Sequence, residues 1–268
     1  MTPLISVTWL HQNLGNPKLV ILEAGIDIED YQNNRSIHGT RYFDLKNTFR
    51  DLSNPLPNTL PNPEEFQKNV RLLCVNKDSI IVVYDRKGIY FSPRVWWLFN
   101  VMGHSNIAIL DGGLPAWVNQ GFTIEDPSEK KYKIGSFTAN FQKNLVRYYP
   151  TVLENTETQN EILIDVRSRG RFNGTEKEPR KGLRSGNIPH SINLPYTEVL
   201  SNGKYKSLEE IKSLLSKAEL LNKPFIFSCG SGITACIIML AAELVSSTPK
   251  SVYDGSWTEW VLKESKSN

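Results

Sequence analysis

The chain is poor in the residues that most often announce chemistry: three cysteines, three methionines and four histidines among 268 residues. An odd set of thiols, Cys74, Cys229 and Cys236, makes no closed disulfide framework, so free thiols are expected. Cys229 and Cys236 also stand too far apart for close-spaced zinc ligands, and no metal is expected. No apolar run approaches the roughly 20 residues that cross a bilayer, which leaves no membrane-spanning helix. The opening stretch, MTPLISVTWLHQNLG, has neither a basic leader nor a sustained apolar core, so the expectation is a cytoplasmic protein without a secretory signal. A net charge of +3, with no run of Lys/Arg interleaved with aromatics, argues against nucleic acid as a partner. What is present is an ordinary globular balance, 40% hydrophobic and 22% charged, in a chain long enough for two cores.

Self-similarity decides the organisation. Residues 79–121 overlay on 224–264, with Asp85 on Cys229, Gly88 on Gly232, Ile89 on Ile233, Asp111-Gly112-Gly113 on Asp254-Gly255-Ser256, and Trp117 on Trp260. LVILEA (19–24) likewise matches EILIDV (161–166), and SIHGTRYFDL (36–45) matches NIPHSINLPY (187–196). So long a period indicates duplicated domains, an N-terminal one over 1–138 and a C-terminal one over 139–268, rather than a solenoid. In the first, IIVVY (80–84) reads as a buried strand, SPRVWWLFNVMG (92–103) as a helix and IAIL (107–110) as the next strand. The second repeats this as PFIFS (224–228), ITACIIMLAAELV (233–245) and SVY (251–253). The fold class is therefore α/β, two tandem domains, each a mainly parallel sheet covered by helices on both faces. The polar, Lys-rich stretch 125–147 reads as the linker.

The stretch SCGSGITACI (228–237) puts Cys229 just past a buried strand and just before a helix, where open parallel sheets hold their ligands. Gly230 and Gly232 let the backbone bend without a Cβ penalty, so that successive N–H groups can converge on the sulfur. The helix N-terminus adds partial positive charge, and both effects favour an anion on Cys229, thiolate or persulfide. Ser231 and Thr234 bring hydroxyl donors to this cradle, which Ile233 completes. Cys74 and Cys236 are expected as small core fillers. A Cys-x5-Arg phosphatase would need arginine where Ala235 stands, and a Gly-x-Ser-x-Gly elbow would need glycine in place of Cys229.

CGSGITAC, together with PRVWW, LDGGLPAW, GRFNGTE and YDGSWTEW, resembles the two-domain rhodanese-type sulfurtransferases, in particular the 3-mercaptopyruvate group, over nearly the whole chain. The resemblance implies that the first copy has lost its cysteine, Asp85 standing in its place. It implies a ping-pong reaction without a cofactor: Cys229 takes sulfur from a small-molecule donor, holds it as a persulfide, and passes it to a small thiol, a thioredoxin-like protein or cyanide. Thiosulfate-type members carry Arg and Lys after the cysteine; the neutral Gly230 and Ser231 favour 3-mercaptopyruvate as donor, with thiosulfate second. The family's carboxylate-binding arginines, in its GRF and EPR motifs, match Arg171 and Arg180 here, and the guanidinium fork suits bidentate pairing. Arg167, at a strand end, reads as structural, and Arg86-Lys87-Gly88 as an ancestral relic or a solvated turn. The His and Asp that would serve the loop serine in that group are absent: Lys46 falls at the Asp position, and Asn58 or a neighbour at the His position. The alternatives are a thiosulfate-preferring rhodanese and a non-catalytic persulfide relay.

Overall fold

A computed structural model describes residues 1–127, 133–217 and 223–265. The chain divides into two compact units: Met1–Ser53, Leu60–Gln142 and Asn202–Tyr205 form the first, Asn54–Thr59, Lys143–Ser201 and Lys206–Asn268 the second. The first unit carries strands β1 (Leu4–Ile5), β2 (Leu19–Gly25), β3 (Arg41–Asp44), β4 (Ile80–Tyr84) and β5 (Ile107–Leu110), with helices α1 (Val7–Asn13), α2 (Ile28–Asn33), α3 (Pro63–Leu72), α4 (Ser92–Val101) and α5 (Gly113–Asn119). Its sheet runs in the order β1-β5-β4-β2-β3, every pair parallel. The second carries β6 (Val146–Arg147), β7 (Ile162–Asp165), β8 (Ile192–Asn193) and β9 (Leu200–Ser201); β10 (Lys204–Tyr205) is counted with the first. It continues with β11 (Phe225–Ser228) and β12 (Lys250–Tyr253), and with helices α6 (Tyr149–Thr158), α7 (Arg169–Asn173), α8 (Leu208–Lys217), α9 (Ala235–Val245) and α10 (Ser256–Glu264). Its sheet order, β6-β12-β11-β7-β8, again all parallel, repeats the first strand for strand.

The sequence dictates this arrangement. The β-branched run of β4 and the apolar run of β11 are buried from end to end apart from Ile80, as central strands of a parallel sheet must be when both faces are covered. Between β11 and β12, α9 is apolar all round, and Ala235 through Ala242 are all buried, so it is a core helix rather than an amphipathic one. Each large apolar side chain so buried contributes about 1.5–3 kcal/mol. Among the described residues no helix is long and apolar enough to cross a membrane.

Three expectations change. Residues 133–142 of the linker stretch lie on the first unit: Gly135 and Phe137 donate their N–H groups to Arg71 and Val75, and the Phe137 ring, 1% exposed, packs against Phe66, Phe99 and His104. That ring and the N–H groups of Gly135, Phe137, Asn140 and Gln142, all bonded to carbonyls of the first unit, hold the segment down; residues 128–132 of the same stretch lie outside the described residues. Cys74 is half-buried at φ +54°, where its N–H bonds to Arg71 and ends α3; it closes a helix rather than filling a core. Cys236 is fully buried, as expected. Arg86 does not sit in a solvated turn, since its Nε lies 2.7 Å from Glu23 Oε1 and the Glu23 side chain is 3% exposed. Burial raises the Glu23 pKa, and its bonds from Tyr84 (2.6 Å), Arg86 and Ser36 (2.8 Å) oppose that rise.

Candidate functional site

β11 delivers Cys229 at its C-terminal end, 2% exposed. The carbonyls that follow face α10: Trp257 donates its N–H to Cys229 O at 3.0 Å, Thr258 its N–H to Gly230 O at 3.1 Å and its hydroxyl at 2.6 Å. These are the donors that a helix start leaves unmatched, and the loop carbonyls satisfy them. A trans peptide sets N–H opposite C=O, so the N–H groups of Gly230 and Ser231 point away from α10. The chain then turns through Gly232 at φ +83°, which aims its N–H at Cys229 Sγ over 3.1 Å. That left-handed turn, which only glycine makes without cost, also delays the helix: α9 begins at Ala235, two residues later than the apolar pattern suggests. Ser256 stands on the other side. Its Oγ lies 4.0 Å from Sγ, accepts the N–H of Cys229 at 3.3 Å and donates to Tyr253 O at 2.9 Å, and these contacts hold a serine at φ +51°.

Two guanidinium groups reach the loop. Arg171 projects from α7, whose N-cap is Ser168, and gives Nε and Nη2 to Glu178 at 3.0 and 2.6 Å. Glu178 also takes Nη1 of Arg167 at 2.6 Å, while Arg167 forks onto Asp165 through Nε (3.0 Å) and Nη2 (2.5 Å). Arg167 is therefore structural, fully buried and stacked at 4.4 Å on the Trp257 ring. Arg180 gives Nη2 to Ser231 Oγ at 2.8 Å, and Asn58 gives Nδ2 to the same oxygen at 2.9 Å. Among the described residues Arg180 has no carboxylate partner. A Cβ at Gly230 would lie 2.9 Å from Arg171 Nη2 and 3.6 Å from Arg180 Nη1. Gly230 thus leaves room for the arginine ends, which a larger residue would displace, and the left-handed turn belongs to Gly232.

Electrostatics follow from this packing. Burial pushes Asp165 up against the pull of Arg167. Burial works against charge on Glu178 and Arg171 as well, yet their mutual pair prevails: the Glu178 carboxyl, bound by Arg171 and Arg167, is held below the usual glutamate range. Arg171 is held further charged by Glu178 and then by the field of Cys229.

Six of the eight residues singled out in the sequence, Cys229, Gly230, Ser231, Gly232, Arg171 and Arg180, meet within these contacts. Ser231 differs in sense: two N–H donors aim at its Oγ, so it accepts from both and keeps its own proton to give. Thr234 is the N-cap of α9 without a side-chain capping bond, and Ile233 closes the loop at 9% exposed. Glu178 and Ser256 were not singled out. Glu178 lies inside the EPR motif itself, and Ser256 overlays Gly113, a serine where the other copy needs glycine.

A duplicated parallel α/β unit, with a cysteine on the strand-to-helix loop of its second copy only, defines a class. The chain belongs to the rhodanese-like family: the model of the rhodanese-like domain matches it twice, over residues 6–120 and 150–263. It is 36% identical to the 3-mercaptopyruvate sulfurtransferase of Mus musculus, across 97% of this chain and 92% of that one. It is 35% identical to the thiosulfate sulfurtransferase of Rattus norvegicus, across 96% and 91%. Its fold matches the crystal structure of the 3-mercaptopyruvate sulfotransferase SseA from Escherichia coli with a TM-score of 0.86 at 31% identity, covering 96% of this chain and 99% of that one.

Proposed function

We propose that this rhodanese-family sulfurtransferase takes a sulfane sulfur from 3-mercaptopyruvate onto Cys229, with Arg180 and Arg171 holding the donor carboxylate. The Cys229 thiolate attacks the donor thiol sulfur; the S–S bond forms as the S–C bond breaks, and the electron pair leaves on carbon as pyruvate enolate. The proton lost from the donor thiol ends on that carbon, giving pyruvate and a Cys229 persulfide. The N–H of Gly232 steadies the sulfur, and the free proton of Ser231 is available to the enolate or ketone oxygen. A thiolate acceptor, small or on a thioredoxin-like protein, or cyanide then takes the outer sulfur and returns Cys229 as thiolate. An amide cannot take a proton at neutral pH, so Asn58 orients Ser231 and no histidine relay is involved. Three free cysteines suit a reducing, cytoplasmic setting.

The observation that carries the donor choice is the pair of guanidinium groups over Gly230, one of them without a carboxylate partner among the described residues. Overall identity does not separate the donors, since relatives named for each stand at 36% and 35%. The loop supports the first: Gly230 and Ser231 are uncharged, and a side chain at position 230 would meet the Arg171 guanidinium and displace it. Donor-treated protein should gain about 32 Da, one sulfur atom, on the peptide bearing Cys229. In Cys229→Ser that gain should vanish and turnover with either donor fall to background; undiminished turnover would overturn the assignment. A wild-type kcat/KM favouring thiosulfate would overturn the donor.

A further inference from the structure

The guanidinium groups around Gly230 are unequally paired. Arg167 is matched by Asp165, and Arg171 is held through two of its nitrogens by Glu178, whose side chain is 1% exposed. Arg180 binds the uncharged Ser231. Three guanidinium groups face two carboxylates, so Arg180 alone has no carboxylate partner among the described residues, and the Cys229 thiolate adds a further negative charge to the same field. Lys177 and Lys181, on the same loop, are exposed, and water and salt screen them.

We infer that Glu178 determines donor charge: by pairing with Arg171 it leaves Arg180 as the single guanidinium of the three without a carboxylate, and so selects a carboxylate monoanion over the thiosulfate dianion. The inference rests on the reading that Arg171 and Arg180 receive the donor. The carboxylate of a singly charged donor meets Arg180, the one guanidinium of the three without a carboxylate. The second charge of a dianion meets no such cation and lies beside Glu178, Asp165 and the Cys229 thiolate, and an uncompensated charge in a half-buried site is costly. Glu178 therefore acts on the donor through Arg171; it is a positioning residue whose charge, as well as its shape, matters.

The experiment is kcat/KM for 3-mercaptopyruvate and for thiosulfate with one common acceptor, in wild type and Glu178→Gln. Glutamine keeps the shape and one acceptor but removes the charge, freeing Arg171. The ratio of the two values should move toward thiosulfate by about tenfold or more, the scale of one added charge at a protein-like effective dielectric, and the shift should shrink in high salt. Glu178→Asp, which restores the charge, should move the ratio back. Equal losses for both donors in Glu178→Gln would mean that Glu178 merely holds Arg171 in place, and would overturn the inference. Should Glu178→Gln fail to fold, Glu178→Ala removes the same charge: the ratio should again move toward thiosulfate, and an unmoved ratio would overturn the inference. A wild-type preference for thiosulfate would overturn the donor reading alone, since the direction of the Glu178→Gln shift still decides the role of Glu178.

Discussion

The loops 85–91 and 229–235 leave matching strands of matching sheets, yet one closes on a carboxylate and the other on a thiol. In the first unit the anion is built in. Asp85 is fully buried; its Oδ2 accepts the N–H groups of Tyr90, Phe91 and Ser92 at 2.9 Å each and the Ser92 hydroxyl at 2.8 Å, and its Oδ1 accepts the N–H of Lys87 at 2.9 Å. In the second unit Cys229 Sγ takes that place with the N–H of Gly232 and the hydroxyl of Ser256 beside it. The anchoring of the loops is shared, Leu114 N–H on Asp85 O at 3.1 Å and Trp257 N–H on Cys229 O at 3.0 Å. Their depth is not. A Cβ at Gly113 would come within 2.3 Å of Asp85 O, whereas the overlaid Ser256 carries a whole side chain at nearly the same φ. The arginines diverge too: Arg86 is drawn back onto Glu23, while Arg171 and Arg180 converge over Gly230. The first loop closes several amides on a carboxylate of its own, whereas the second turns one amide, that of Gly232, onto a cysteine sulfur.

The most severe way to break the comparison is Asp85→Ala. It leaves four backbone N–H groups and a hydroxyl without their acceptor, and should lower the unfolding free energy by about 3 kcal/mol in urea titrations. Sulfur transfer by the folded protein should be unchanged; an unaltered stability would mean that the first loop does not depend on its carboxylate. Arg180→Ala removes a charge-assisted hydrogen bond to the donor, worth about 2 kcal/mol. The KM for 3-mercaptopyruvate should rise about 30-fold with a much smaller change in kcat, and a wild-type KM would remove Arg180 from the donor site. Ser256→Gly makes the second loop resemble the first. It relieves about 1 kcal/mol of left-handed strain while losing a hydrogen bond of similar size, so the melting temperature should stay within a few degrees. Single-turnover persulfide formation should slow by a few-fold; an unchanged rate would leave Ser256 as a space filler.

Much of this was legible beforehand because it is local. Strands β4, β5, β11 and β12 follow from short apolar β-rich runs, and the position of Cys229 from glycines and a helix signal within a few residues of it. The overlay of the two halves gave Asp85 as the counterpart of Cys229 before any contact was known. What escaped depends on residues far apart in the chain. The reason for Gly230 lies 59 and 50 positions upstream in Arg171 and Arg180, and no local pattern distinguishes a glycine kept for space from one kept for a turn. Glu178 reads as one acid in a charged loop until its carboxylate is seen to bridge two arginines. The same holds for residues 133–142, whose polar composition hides one decisive aromatic, Phe137, and for Cys74, whose backbone rather than its thiol explains its place.

Trp257 is held between two cations, Arg167 at 4.4 Å and Arg184 at 4.9 Å, while its indole N–H is given to Arg184 O and its backbone N–H to Cys229 O. One residue of α10 thus ties the two loops together, its ring to Arg167 and Arg184 and its backbone to Cys229. A shift of either loop would strain contacts to the other, so their spacing is set through a third element and is not left to two separate flexible loops.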